Sequence, residues 1–192
     1  MMKQIIFLFI AFYANSIIAQ IVSKDLSFDS NSIEKALNLI PVGQEKNFGF
    51  NTREEFAESK IGVPLLVTKI NSDGKLSIQN EWRIPVVVNN EYRLLFTVIK
   101  NTNGEFEIVD LGGSSLAKEI STIVINGKNP DVLLRSYAFK IDFLSVNELI
   151  TASGLQNCII PLQSAKNFFL SNKRISIEDT ISRQGLTNLM SK

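Results

Sequence analysis

The chain has no histidine and a single cysteine, Cys158, in 192 residues. Ser-His-Asp and Cys-His catalysis both use an imidazole of near-neutral pKa to take the nucleophile's proton, so neither can be built from this chain alone. Zinc sites draw on Cys and His ligands, and no metal or other cofactor is expected. One cysteine makes no internal disulfide. Cys158 sits in the apolar run Cys158-Ile159-Ile160-Pro161-Leu162 and reads as a small buried hydrophobe at a strand end.

Excess charge is missing as well. Lys3 is the only charge in the first nineteen residues, so of 20 basic side chains 19 remain beyond it, against 19 acidic ones. A balanced chain has no long-range field to draw it to nucleic acid or to an anionic membrane. The basic residues are also dispersed, Lys173-Arg174 being an adjacent pair near the C-terminal end. No nucleic-acid partner is expected.

One long apolar run is present, at the start. Met1-Met2-Lys3-Gln4 is a short positive opening, Ile5 to Tyr13 is unbroken apolar sequence, and Ala14-Asn15-Ser16-Ile17-Ile18-Ala19 leads to a small residue before Gln20. This is the layout of a secretory signal peptide, with cleavage near Ala19 and a secreted or periplasmic mature protein. An uncleaved anchor needs about 18 to 20 apolar residues, and Asn15, Ser16 and Gln20 interrupt the run. No Cys follows it, which removes a lipoprotein reading, and no later stretch is long enough to span a bilayer. The expected organisation is a signal peptide at 1–19, one domain at 20–171, and a tail or short docked helix at 172–192.

Local signals then alternate along the chain. Asp29-Ser30-Asn31 offers N-cap side chains to a helix whose stripe is Ile33, Ala36, Leu37 and Ile40, stopped by Pro41 and Gly43. Thr52 to Glu55 has capping-box form. Val63 to Ile70 is β-rich, and Asn71-Ser72-Asp73-Gly74 is turn chemistry. Trp82–Val88 and Tyr92–Ile99 flank Asn89-Asn90, a pair that tolerates the positive φ of a two-residue hairpin loop. Asn101 to Gly104 makes the next turn, into Phe106–Val109. Gly112-Gly113-Ser114 opens a helix through Leu116, Ala117, Ile120 and Ile123, with Ser114 and Ser115 as its caps. A single long strand is predicted over Val132–Val146, then a strand at Cys158–Leu162 and a short helix capped by Ser164. The stripe of Ile177, Ile181, Leu186 and Leu189 marks the tail. The fold class is α+β, a largely antiparallel sheet of about five to seven strands with helices mainly on one face.

The hairpin supplies the candidate binding residues. With an uninterrupted register Val86 sits opposite Arg93, which puts Arg93, Leu95 and Thr97 on the face of Trp82, Ile84 and Val86, and Leu94, Phe96 and Val98 on that of Arg83 and Pro85. Both faces then read as largely apolar and in need of cover. Trp82 and Arg93 are side-chain types that dominate binding hot spots, and with Glu91 and Tyr92 they form the candidate surface. The plainer and favoured reading is a core Trp82 with Arg93 on its rim.

The remaining motifs are weaker. Ser115-Leu116-Ala117-Lys118 has the S-x-x-K form of penicillin-binding-type serine acyltransferases, but no K-T-G follows it. Gly112-Gly113-Ser114-Ser115 lacks the spacing of a phosphate-binding loop. Asn71 to Gly74 lacks the alternating acidic ligands of a calcium loop. Glu54, Glu55, Asp110, Asp142 and Glu148 leave a carboxylate-pair hydrolase as the one enzymatic route compatible with composition.

The sequence therefore reads as an exported, non-catalytic binding protein, a protein–protein interaction or accessory module. The alternative is a carrier of a small hydrophobic ligand in a sheet-lined cavity. The partner is an unidentified protein or a small apolar ligand.

Overall fold

A computed structural model describes residues 30–71, 74–147, 157–173 and 176–190. The expected signal peptide, Asp29 and Glu148 lie outside these. The described strands form one eight-stranded sheet, largely antiparallel, with helices packed on it: an α+β fold. Its strands are β1 (Lys60–Ile61), β2 (Leu65–Ile70), β3 (Leu76–Val88), β4 (Glu91–Lys100), β5 (Phe106–Gly112), β6 (Pro130–Ser136), β7 (Ile141–Asn147) and β8 (Asn157–Pro161). The order is β5-β4-β3-β2-β6-β7-β8, with β1 pairing β3 off this path. β2 and β6 run parallel, the others antiparallel. Among the described residues no helix is long and apolar enough to cross a membrane.

Asn89 and Asn90 both take positive φ, 51° and 64°, which is the twisted two-residue turn that closes β3 on β4. The register then departs from the simple expectation. Val87 pairs Tyr92 and Val86 pairs Leu94, so Arg93 is an extra residue, a β-bulge. A one-residue slip turns every later side chain to the opposite face. Leu94, Phe96 and Val98 consequently join Trp82, Ile84, Val86 and Val88 in one buried cluster, and Leu95 goes to the other side. The bulge thus sorts the hairpin into a fully apolar face and a mixed one, in place of two largely apolar faces.

The apolar face is covered over its β3–β4 and β6–β8 halves. Helix α1 (Ser30–Leu37) lays Ile33, Ala36 and Leu37 over the β3–β4 half, with Phe50 and Phe56 from the loop that follows. Over the β6–β8 half, helix α3 (Gln163–Phe168) contributes Ala165 and the π-turn after it contributes Phe169. Helix α4 (Arg183–Met190) adds Leu186 and Met190 to the same cluster. The opposite face carries helix α2 (Ser114–Ile125), whose Ala117 and Ile120 bury Leu65, Val67, Leu95, Leu133 and Leu144.

Several local expectations change. The predicted long strand over Val132–Val146 is two strands, β6 and β7, folded back so that Ser136 pairs Ile141. The turn uses Lys140 at φ 54°, with none of the Gly, Pro or Asn signals that mark turns in sequence. Thr52 makes no side-chain cap, and Arg53–Phe56 is a 3-10 turn. Glu55 instead accepts from the backbone and side-chain N–H groups of Asn51, both at 2.9 Å, while Arg93 draws it from the far side. Helix α2 starts from Gly113 in the left-handed region without a side-chain cap, and Ser114 Oγ donates to Asn47 O at 3.3 Å. Ser164 Oγ is likewise no cap: it accepts from the Asp142 N–H at 3.0 Å.

Candidate binding cleft

Strand β5 ends at Gly112 opposite Leu95, where the chain turns away into α2. The first residues of β4, Glu91 to Leu94, therefore outrun their neighbour. A cleft of about 390 Å³ opens there, between the loop carrying Gly49 and Asn51, the start of β4, and α2. It brings together Glu91, Tyr92 and Arg93, three of the four residues singled out in the sequence, with Ser115 and Lys118 of the S-x-x-K motif.

The walls are fixed by specific contacts. Arg93 Nη2 lies 3.0 Å from Glu55 Oε1 and its Nη1 lies 2.8 Å from Glu91 Oε2, so the bulge residue is held by a carboxylate on each side. Arg93 and Glu55 are mostly buried, whereas the Glu91 side chain is 63% exposed. The Tyr92 N–H donates to Ser121 Oγ at 3.2 Å, tying β4 to α2. Burial pushes the Tyr92 phenol above its ordinary pKa, so it stays a neutral ring in the wall. Gly49 has φ 90°, and a Cβ on it would meet Arg93 O at 2.3 Å; no larger residue fits there. Hydroxyl and amide groups of Asn51, Ser114, Ser115, Ser121 and Thr122 complete a mixed lining that includes Ile125.

Trp82 lies elsewhere. It is 4% exposed, buried on the apolar face with its ring edge-on to Phe106, centroids 5.3 Å apart. A partner at the surface does not reach it. Sequence reading missed Gly49, Asn51, Ser121, Thr122 and Ile125 as cleft residues. The one available signal was Gly49 itself, set between Phe48 and Phe50 in a short apolar stretch.

The arrangement gives little to chemistry. A lysine serves as general base where burial or a neighbouring cation disfavours its charge, and Lys118 and Ser115 are both exposed. Glu55 and Glu91 meet at the cleft, but both are paired to the one Arg93 guanidinium, and Asp110 and Asp142 lie far from each other. Asp142 is paired with Arg135 at 2.6 Å, and Asp110 lies on β5 at the far side of the sheet. Five strand spacings of ~4.8 Å separate β5 from β7, roughly 24 Å, against the about 5 to 10 Å that glycoside hydrolysis uses. Among the described residues no group of three or more His, Cys, Asp or Glu could hold a metal ion.

A separate polar network sits on the α2 side of the sheet, beyond the helix. Arg83 pairs with Glu81 at 3.0 Å and donates to Thr97, Tyr137 OH donates to Glu81 at 3.2 Å, and Arg135 stacks over the Tyr137 ring. These side chains satisfy one another, which suits a solvated sheet face. No protein-family model matches the chain, and no curated protein or solved structure is detectably similar to it.

Proposed function

We propose that this chain is an exported, non-catalytic binding protein, a protein–protein interaction or accessory module of the envelope or extracellular space. The observation that carries the reading is the cleft: a recess of mixed lining with an exposed cation, Lys118, an exposed carboxylate, Glu91, and a half-buried aromatic, Tyr92, held on a framework of ion pairs. Recognition surfaces combine an aromatic anchor with a polar rim in this way. The export half of the proposal rests on residues 1–19.

The ligand-carrier alternative loses its motivation. It relied on two apolar sheet faces wanting cover, and the chain's own residues fill both, Leu37, Phe50, Phe56 and Phe169 on one and Ala117 and Ile120 of α2 on the other. The carboxylate hydrolase loses support from the separation of Asp110 and Asp142 and from the pairing of Glu55 and Glu91 to one guanidinium, that of Arg93.

The test is affinity capture from the source organism's envelope and medium. The native protein is compared with a Lys118→Glu/Ile125→Asp variant, both positions being exposed on the cleft wall. A partner taken by the native bait and lost with the variant supports the reading. An empty capture, or one unchanged by the variant, removes the cleft from it.

A further inference from the structure

The two edges of the sheet are finished differently. At the β8 edge the chain closes the ladder itself: Ile159 N–H donates to Ile181 O at 3.0 Å, and Ile181 N–H returns to Ile159 O at 2.8 Å. At the opposite edge, β5 pairs with β4 on one side and with no strand among the described residues on the other. An unpaired strand presents a row of main-chain donors and acceptors that another strand can take up.

The side chains on β5 say what kind of strand that is. Thr97 pairs Asp110 while Val98 pairs Ile108, so Val109 is an extra, bulged residue and is 47% exposed. The bulge places Phe106, Ile108 and Leu111 together on the apolar face, where they are only partly buried. Glu107 and Asp110, opposite Ile99 and Thr97, fall together on the other face and are exposed. Glu105, in the preceding turn, is exposed and acidic too. The edge is thus half-covered apolar on one side and acidic on the other.

We infer that the β5 edge accepts an extended segment of a partner protein whose residues alternate basic and apolar. The incoming strand sets its apolar residues beside Phe106, Ile108 and Leu111, and its Lys or Arg residues beside Glu107 and Asp110. Opposite charges across neighbouring strands are favourable and like charges unfavourable. The same rule disfavours a second copy of this chain, because antiparallel β5–β5 pairing sets acidic residues against acidic ones. The bulge at Val109 interrupts the ladder, so the docked segment is short, pairing on either side of it. This surface is distinct from the cleft, and the two readings fail separately: the capture experiment tests the cleft, and a defined peptide tests the edge.

The probe is a labelled acetyl-Lys-Val-Lys-Val-Lys-Val-Lys-amide peptide titrated into the intact protein, followed by anisotropy and by hydrogen exchange of residues 106–112. Binding with slowed exchange across β5 is expected. Replacing the lysines with glutamates weakens it by about tenfold, the effect of two or three cross-strand charge pairs. N-methylation of alternate amides of the lysine peptide abolishes it. The Glu107→Lys/Asp110→Lys protein, altered only at exposed positions, reverses the preference and takes the glutamate peptide. Absence of binding overturns the inference. So does binding indifferent to N-methylation or to the charge exchange. Slow exchange, in the free protein, of the β5 amides that do not bond to β4 overturns it as well, showing the edge already filled by the chain itself or by a second copy, which sedimentation tells apart.

Discussion

The hairpins β3–β4 and β6–β7 are both antiparallel, yet they are specified in different ways. The first turns on Asn89-Asn90, residues that enter the left-handed region at little cost, and its strands are long, thirteen and ten residues. The second turns through Tyr137-Ala138-Phe139-Lys140, a segment with no turn residue, and forces Lys140 to φ 54°. Its strands are seven residues each. Local chemistry closes the first hairpin. The second is closed away from its turn, by β6 pairing parallel to β2 and by the Arg135–Asp142 bridge between its two strands. A turn can therefore be dictated by its own residues or imposed by the strands it joins.

The largest test of this contrast is Gly49→Ala. The added Cβ meets the carbonyl of the bulge residue at 2.3 Å, from a backbone already at positive φ, so the first hairpin loses the seat of its bulge. A loss of about 3 kcal/mol in urea denaturation is expected. Next is Asp142→Ala in the second hairpin. Desolvation disfavours the Arg135 charge, yet the bonds and charge of Asp142, with Tyr137 and Glu81, hold its pKa above the ordinary value. Removing the carboxylate strands a half-buried guanidinium, at a cost of about 2 kcal/mol once its partial exposure is discounted. Lys140→Gly should act the other way and raise stability by about 0.5 to 1 kcal/mol, since glycine removes the left-handed penalty. The same exchange at Asn90, where no such penalty is stored, should change the thermal midpoint little.

The smallest effect concerns how the two halves are joined on the α2 side. Glu119 of α2 accepts the Gln163 N–H at 2.6 Å, just after β8. Burial raises its pKa above the usual range, with Asp142 adding to that, against the lowering effect of this bond and of Lys166. A carboxyl with a raised folded pKa contributes stability below its unfolded pKa and loses it as pH rises through the folded value. Glu119→Gln keeps an acceptor without the charge. It should raise the thermal midpoint slightly at neutral pH and flatten its dependence above the ordinary carboxylate range. A variant with a steeper fall toward neutral pH would show that the charge itself holds the helices.

The same contrast accounts for what could be read in advance. Helix α1, the Asn89-Asn90 turn, the β3–β4–β5 meander and helix α2 follow from spacings and turn residues within a few positions of each other. The bulge at Arg93 does not, because Tyr92-Arg93-Leu94 alternates as well in either register. What selects the register is burial: the slip gathers Leu94, Phe96 and Val98 under α1, and it lets Arg93 reach Glu55, 38 residues earlier. Glu91, Tyr92 and Arg93 were accessible from hairpin position. Gly49, Asn51 and Ser121 were not, since their place in the cleft depends on where the loop and α2 meet β4.

By itself, the sequence determined that no imidazole and only one thiol are on hand within it, the α+β class, and the elements whose periodicity and turn residues are local. Tertiary structure decided the register of β4, the folding-back of β6 on β7, the parallel pairing of β2 with β6, and the cleft where β4 outruns β5. Local periodicity specifies an element and its apolar side. Which side of which neighbour it meets is settled by how much apolar surface the assembled sheet can cover.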